Sequence, residues 1–116
     1  MDSSATETDA FATLADPRRR YVLYYLHQHD APVGLNALAT QVAAWSGDTA
    51  PEAVEQTTVD RVRTELYHAH LPKLEALGVI TYRDDAREVG LADNTEMLQP
   101  YLESARQSEL AVDTPE

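Results

Sequence analysis

No stretch constrains the fold of this chain more than residues 58–91, TVDRVRTELYHAHLPKLEALGVITYRDDAREVGL. A helical period ends there at a glycine and a strand period takes over. Val59, Val62, Leu66, His70, Leu74 and Leu77 recur at three- and four-residue steps and so line one helical face. Gly78 follows the last periodic leucine, where a left-handed residue closes many helices. Residues 79–83, VITYR, are β-branched and aromatic and read as a strand. Asp84-Asp85-Ala86 supplies a turn, and residues 87–91, REVGL, alternate back as a second strand. Pro72 lies inside the helical pattern, removing one backbone hydrogen bond and crowding the carbonyl of His68. A kink is expected rather than two segments meeting near Leu71, because Leu66, Leu74 and Leu77 keep one phase across the proline.

The rest of the chain supplies two more helices before this stretch and one after it. Residues 1–9 are polar and acidic and read as a disordered tail, with Phe11 and Leu14 the first apolar anchors. Asp16-Pro17 marks a helix start, Asp as cap and Pro at the first helical position. That helix is expected to run to about His29, burying Val22, Leu23, Tyr25 and Leu26. Arg18, Arg19 and Arg20 fall in its first turns, where cations oppose the helix dipole. Pairing with the chain's own acids is the favoured compensation, ahead of contact with phosphate or a partner subunit. Asp30-Ala31-Pro32 breaks the chain. Leu35, Leu38, Ala39 and Val42 then fit a helix over about residues 35–45 with Gly34 as its cap, and Trp45 at its end reads as packing. Residues 46–57 form a long acidic connection with a helical turn expected near Pro51. Thr57 or Thr58 is the expected cap of the third helix, with Asp60 in its first turn. Beyond the hairpin, Ala92 to Thr95 reads as a turn and cap. Leu98, Tyr101, Leu102 and Ala105 then repeat at helical steps to about Leu110, and residues 111–116 should fray.

The 116 residues suit one domain. No apolar run approaches a membrane span, and the N-terminus has neither the basic nor the apolar region of a secretory signal. The absence of cysteine excludes disulfides and thiolate metal sites and fits a cytoplasmic setting. Twenty acids against nine bases give a formal charge of −11, and every base but Lys73 is arginine. An acidic, lysine-poor composition rich in small residues resembles that of proteins adapted to a salt-saturated cytoplasm. The excess lies in residues 1–9, 46–57 and 92–116, leaving residues 58–91 nearly neutral.

Three helices followed by a hairpin is the order of a winged helix-turn-helix. The fold class is therefore mainly α with a small β-hairpin, carried by residues 10–91, with residues 92–110 as an extra C-terminal helix. LADPRRRYVLYYL (residues 14–26) resembles the first helix of ArsR-like winged-helix regulators, and LNALATQVA (35–43) resembles their second. HLPKLEALGVI (70–80) resembles the end of their recognition helix and the entry to the wing. With the run YHAHLPKL (67–74) and the acidity, the likeness points to a family of haloarchaeal winged-helix domains of uncharacterised function. The resemblance implies double-stranded DNA as partner and transcription regulation as role. The chain departs from the ArsR-like pattern in lacking a cysteine metal-sensing motif, in its long loop before helix three, in Pro72, and in the acidic wing tip.

For DNA contact, the third helix enters the major groove and the hairpin braces the backbone. The outward positions are Arg61, Arg63, Thr64, Tyr67, His68 and Lys73 on the helix, with Arg83 and Arg87 flanking the wing turn. Arginine suits this task because its fork reads guanine with two hydrogen bonds. The blander reading pairs Arg61 and Arg63 with Glu65 and the loop acids. His27/His29 and His68/His70 are spaced two apart, so a regular helix points the members of each pair to different faces, and no metal site is expected. No phosphate loop or nucleophile motif is present, so no enzyme and no cofactor are expected. A homodimer through the C-terminal and first helices is expected, because a terminal amphipathic helix has little core left to cover; packing on its own first helix is the alternative. The competing function is a protein–protein interaction module that keeps the fold without binding DNA.

Overall fold

The computed structural model describes residues 11–29 and 31–110. The expected tails at 1–9 and 111–116 lie outside them, as does Asp30 of the expected chain break. Among the described residues no helix is long and apolar enough to cross a membrane.

Residues 11–14 form a helical turn that seats Leu14 in the core. Helix α1 (Pro17–His27) starts as its sequence requires: Pro17 occupies the first turn, and the Asp16 carboxylate accepts from the Arg18 N–H at 2.9 Å. It ends at His27, two residues earlier than expected. Its buried tyrosine is Tyr24, with Tyr25 only partly covered. Tyr24 can be buried because its hydroxyl donates to Glu109 at 2.8 Å, so its polar end is satisfied within the fold. Strand β1 (Val33–Gly34) follows, then α2 (Leu35–Gly47), capped by the extended Gly34 and closed by a left-handed Asp48. Trp45 at its end packs against Tyr21, Tyr24 and Tyr25 at ring-centroid distances of 5.7, 6.4 and 6.5 Å.

The acidic connection carries a 3-10 turn at Pro51–Ala53 and leads into α3 (Gln56–Glu65). Neither Thr57 nor Thr58 caps this helix. It begins one residue before them, at Gln56, with Glu55 in the cap position and no side-chain cap bond. A π turn (Leu66–His70) joins α3 without interruption to α4 (Leu71–Leu77). The π turn replaces the expected proline kink. Pro72 has no N–H for the His68 carbonyl, and the turn just before it widens so that the Leu71 N–H reaches back to Leu66. One extra residue is thereby absorbed, and the buried stripe runs Val59, Val62, Leu66, His70 with Leu71, and Leu74. Leu71 joins the core by this shift.

Gly78, at φ +81°, ends α4. Strands β2 (Ile80–Arg83) and β3 (Glu88–Leu91) form the hairpin, with Tyr82 opposite Val89 and Arg83 opposite Glu88. The turn is one residue longer than expected: Arg87 belongs to it, at φ +53°, rather than to β3. The hairpin is part of a three-stranded antiparallel sheet ordered β1-β3-β2, because Val33 and Gly34 pair with Val89 and Glu88. The Leu35 N–H, at the start of α2, donates to the Arg87 carbonyl at 2.9 Å, so the wing base and α2 are tied together.

A 3-10 segment (Asp93–Leu98) replaces the expected simple turn and leads into α5 (Gln99–Leu110). The buried Thr95 hydroxyl anchors that segment, lying 2.7 Å from the carbonyls of both Val79 and Ala92. Helix α5 packs onto its own α1. Leu98 and Leu102 enter the core, and Glu109 takes hydrogen bonds from Arg20 and Tyr24. The whole is a winged helix-turn-helix, mostly helical with a small antiparallel sheet and an added C-terminal helix.

Candidate nucleic-acid interface

The helix over residues 56–77 buries Val59, Val62, Leu66, Leu71 and Leu74, with Leu77 only partly covered, which turns its remaining positions outward beside the hairpin. Between them lies a cleft of about 290 Å3 lined by Leu35, Arg63, Thr64, Tyr67, His68, Tyr82, Asp84 and Arg87. Five of the eight residues expected to contact DNA meet there: Arg63, Thr64, Tyr67 and His68 from the helix and Arg87 from the wing. The other three do not line the cleft. Arg61 is exposed and makes no ion pair among the described residues. Arg83 is exposed on β2, where strand alternation sends Tyr82 rather than Arg83 toward the helix. Lys73 lies beyond the π turn and lines a separate cleft with Arg19 and Leu77.

The cleft is rich in donors and in rings. Tyr67 stands edge-on to Tyr82, with centroids 5.8 Å apart, and to His68 at 4.9 Å. Desolvation raises the Tyr82 phenol above its ordinary value, and the charge of Asp84 adds to the effect. The Tyr82 N–H donates to the Glu75 carboxylate at 3.1 Å, which blunts the outer edge of β2 and holds the wing against α4. Arg63 is braced rather than free. It donates to Asn36 Oδ1 at 2.9 Å and pairs with Asp60 at 3.0 Å. Its partners lie on its own helix and on α2, not in the acidic connection. Asp84 lines the same cleft as Arg87 and lowers the local positive potential.

The two members of the 68/70 histidine pair do part company: His68 is exposed and His70 is buried. Arg19 Nε donates to His70 Nδ1 at 3.1 Å, which fixes a neutral ring with its proton on Nε2. Burial lowers the His70 pKa below the usual imidazole value. Asp16 opposes this shift, and Arg19, Arg18 and Lys73 reinforce it. Among the described residues no cluster of three His, Asp or Glu side chains converges as a metal site would. The three arginines of α1 are all engaged within the fold. Arg18 pairs with Glu65, Arg19 with His70 and the Thr13 carbonyl, and Arg20 with Glu109 and the Leu14 carbonyl.

Sequence reasoning missed Tyr82, Asp84 and Leu35 as cleft residues. Period-two alternation from the buried Ile80 places Tyr82 on the helix side and was the available signal. Asn36, which holds Arg63 from 27 residues away, carried no local signal at all. No curated protein and no solved structure matches the chain. A family model does match, over residues 11–90, a span that takes in the helical turn, the three-helix unit and almost all of the wing. The chain belongs to that family, described as a domain of unknown function, DUF7344.

Proposed function

We propose that this protein is a DNA-binding transcriptional regulator of the ArsR-like winged-helix type, working in the salt-rich cytoplasm of a haloarchaeon. In this reading the helix over residues 56–77 enters the major groove, and the wing turn at 84–87 braces the backbone. The observation that carries it is the convergence of Arg63, Thr64, Tyr67, His68 and Arg87 on one cleft between helix and wing. Arg61, beside it, is exposed and makes no ion pair among the described residues, which suits it to a guanine or a phosphate. The acids near the cleft, Asp60 and Asp84, weigh against DNA at low salt. In molar salt the Debye length shrinks to about 3 Å, so their repulsion of phosphate is largely screened. Counterion release contributes little there, and base contacts must supply more of the affinity.

A second reading, a protein–protein module without DNA binding, draws on a different surface. Phe11, Met97 and Tyr101 are large apolar side chains left exposed, and Phe11 stands edge-on to Tyr101 at 5.8 Å. In the favoured reading this surface belongs to the homodimer seam formed with the first and last helices, which would present two reading helices to a two-fold site. The reading is tested by fluorescence anisotropy in molar potassium chloride with duplexes from the region of the protein's own gene. Arg61→Ala with Arg63→Ala should abolish specific binding. Equal binding by the double variant and the parent would remove residues 56–77 as the reading helix.

A further inference from the structure

A second cleft, of about 410 Å3, is lined by Ala12, Thr13, Arg19, Lys73, Ala76 and Leu77. It shares no residue with the cleft between helix and wing. Its chemistry is divided. Ala12, Ala76 and Leu77 give an aliphatic wall, Arg19 and Lys73 give two cations, and no carboxylate lines it. The Arg19 side chain is only 14% exposed, so its charge is partly desolvated. Its Nε is taken by His70 and its Nη1 by the Thr13 carbonyl. Its Nη2 forms a long ion pair with the Asp16 carboxylate at 3.8 Å, beyond hydrogen-bond distance, and makes no hydrogen bond among the described residues. Lys73 makes no ion pair among the described residues. A partly desolvated guanidinium whose Nη2 makes no hydrogen bond among the described residues favours an anion, and a carboxylate oxygen is a strong acceptor for it. The aliphatic wall favours a ligand with a hydrocarbon body over a bare inorganic ion.

We propose that this cleft binds a small aliphatic carboxylate, its head held by Arg19 and Lys73 and its chain laid on Ala12, Ala76 and Leu77. The guanidinium that takes the head is the same one that donates to His70, the last residue of the π turn. Occupancy therefore places a negative charge beside that hydrogen bond. The inference stands on this cleft alone and does not need DNA binding to be correct.

The test is calorimetric titration of the full chain, without DNA, with hexanoate and with its uncharged counterpart hexanamide, alongside NMR of the His70 ring nitrogens. Hexanoate should bind saturably and at least about tenfold more tightly than hexanamide. It should also move the His70 Nδ1 resonance. Lys73→Gln, at an exposed position that leaves the fold intact, should weaken hexanoate several-fold and leave hexanamide unchanged. Equal affinities for the two probes, no saturable heat, or an unaffected Lys73→Gln variant would each overturn the assignment.

Discussion

Gly78→Ala should be one of the most costly single-methyl changes in the chain, and its cost can be divided in advance. Gly78 sits at φ +81° where α4 hands over to the wing, and any residue with a Cβ pays about 1–2 kcal/mol in that region. The new Cβ would also lie 2.5 Å from Asn94 Nδ2, the far end of a flexible side chain. Asn94 can move aside, but it then loses its 3.3 Å bond to the Leu77 carbonyl, an exposed contact of about 0.5–1 kcal/mol. The total is about 1.5–3 kcal/mol. Asn94→Ala alone forfeits only the bond, about 0.5–1 kcal/mol. In the Gly78→Ala background that bond is already gone, so Asn94→Ala should cost nothing further. Urea unfolding of the parent, both single variants and the double variant measures this directly. A Gly78→Ala variant within about 0.5 kcal/mol of the parent, or an Asn94→Ala change equally costly in both backgrounds, would refute this division of the cost.

Two further outcomes follow from the contacts that hold the outer helices. Glu109→Ala strips Arg20 and Tyr24 of their shared carboxylate, with the Arg20 side chain left only 16% exposed, and should cost about 1.5–3 kcal/mol. Hydrogen exchange should show α5 loosening before the rest of the fold, and unchanged protection there would mean that Glu109 does not tether it. The second concerns pH. Because burial lowers the His70 pKa in the folded state, the unfolded chain takes up its proton first as pH falls below the usual imidazole value. Stability should therefore fall on acidification from about pH 7 and stop falling once folded His70 is also protonated. His27, lowered by burial against the pull of Glu103, adds in the same direction. His70→Gln should flatten that slope in urea midpoints, and a slope unchanged by this variant would remove His70 as its source.

The elements whose signal is local were legible in the sequence. Asp16-Pro17, Gly34 before the Leu35 stripe, and Gly78 after Leu77 are cap chemistry written into adjacent residues, and each marks the boundary the structure has. The hairpin was legible because its period changes within a few residues. What escaped depends on distant partners. Strand β1 is two residues long and exists only because β3 is there to pair with it. Pro72 announced a disturbance, but whether a helix kinks or widens is decided by the packing of Leu66, His70 and Leu71 against the core. The candidate cleft was half legible for the same reason. Helical phase placed Arg63, Thr64, Tyr67 and His68 on one side, while strand phase and the left-handed turn at Arg87 chose Tyr82 and Arg87 over Arg83. Which partners hold Arg18 and Arg63 was not legible, since Glu65 and Asn36 reach them from other parts of the chain.

The groove-reading claim meets its most direct test in amide chemical-shift mapping of the full chain titrated with duplex DNA in molar potassium chloride. The account predicts that the largest shifts fall on Arg61, Arg63, Thr64, Tyr67, His68 and the wing turn at Arg87. Shifts concentrated instead on Phe11, Met97 and Tyr101, or no shifts at saturating duplex, would contradict it.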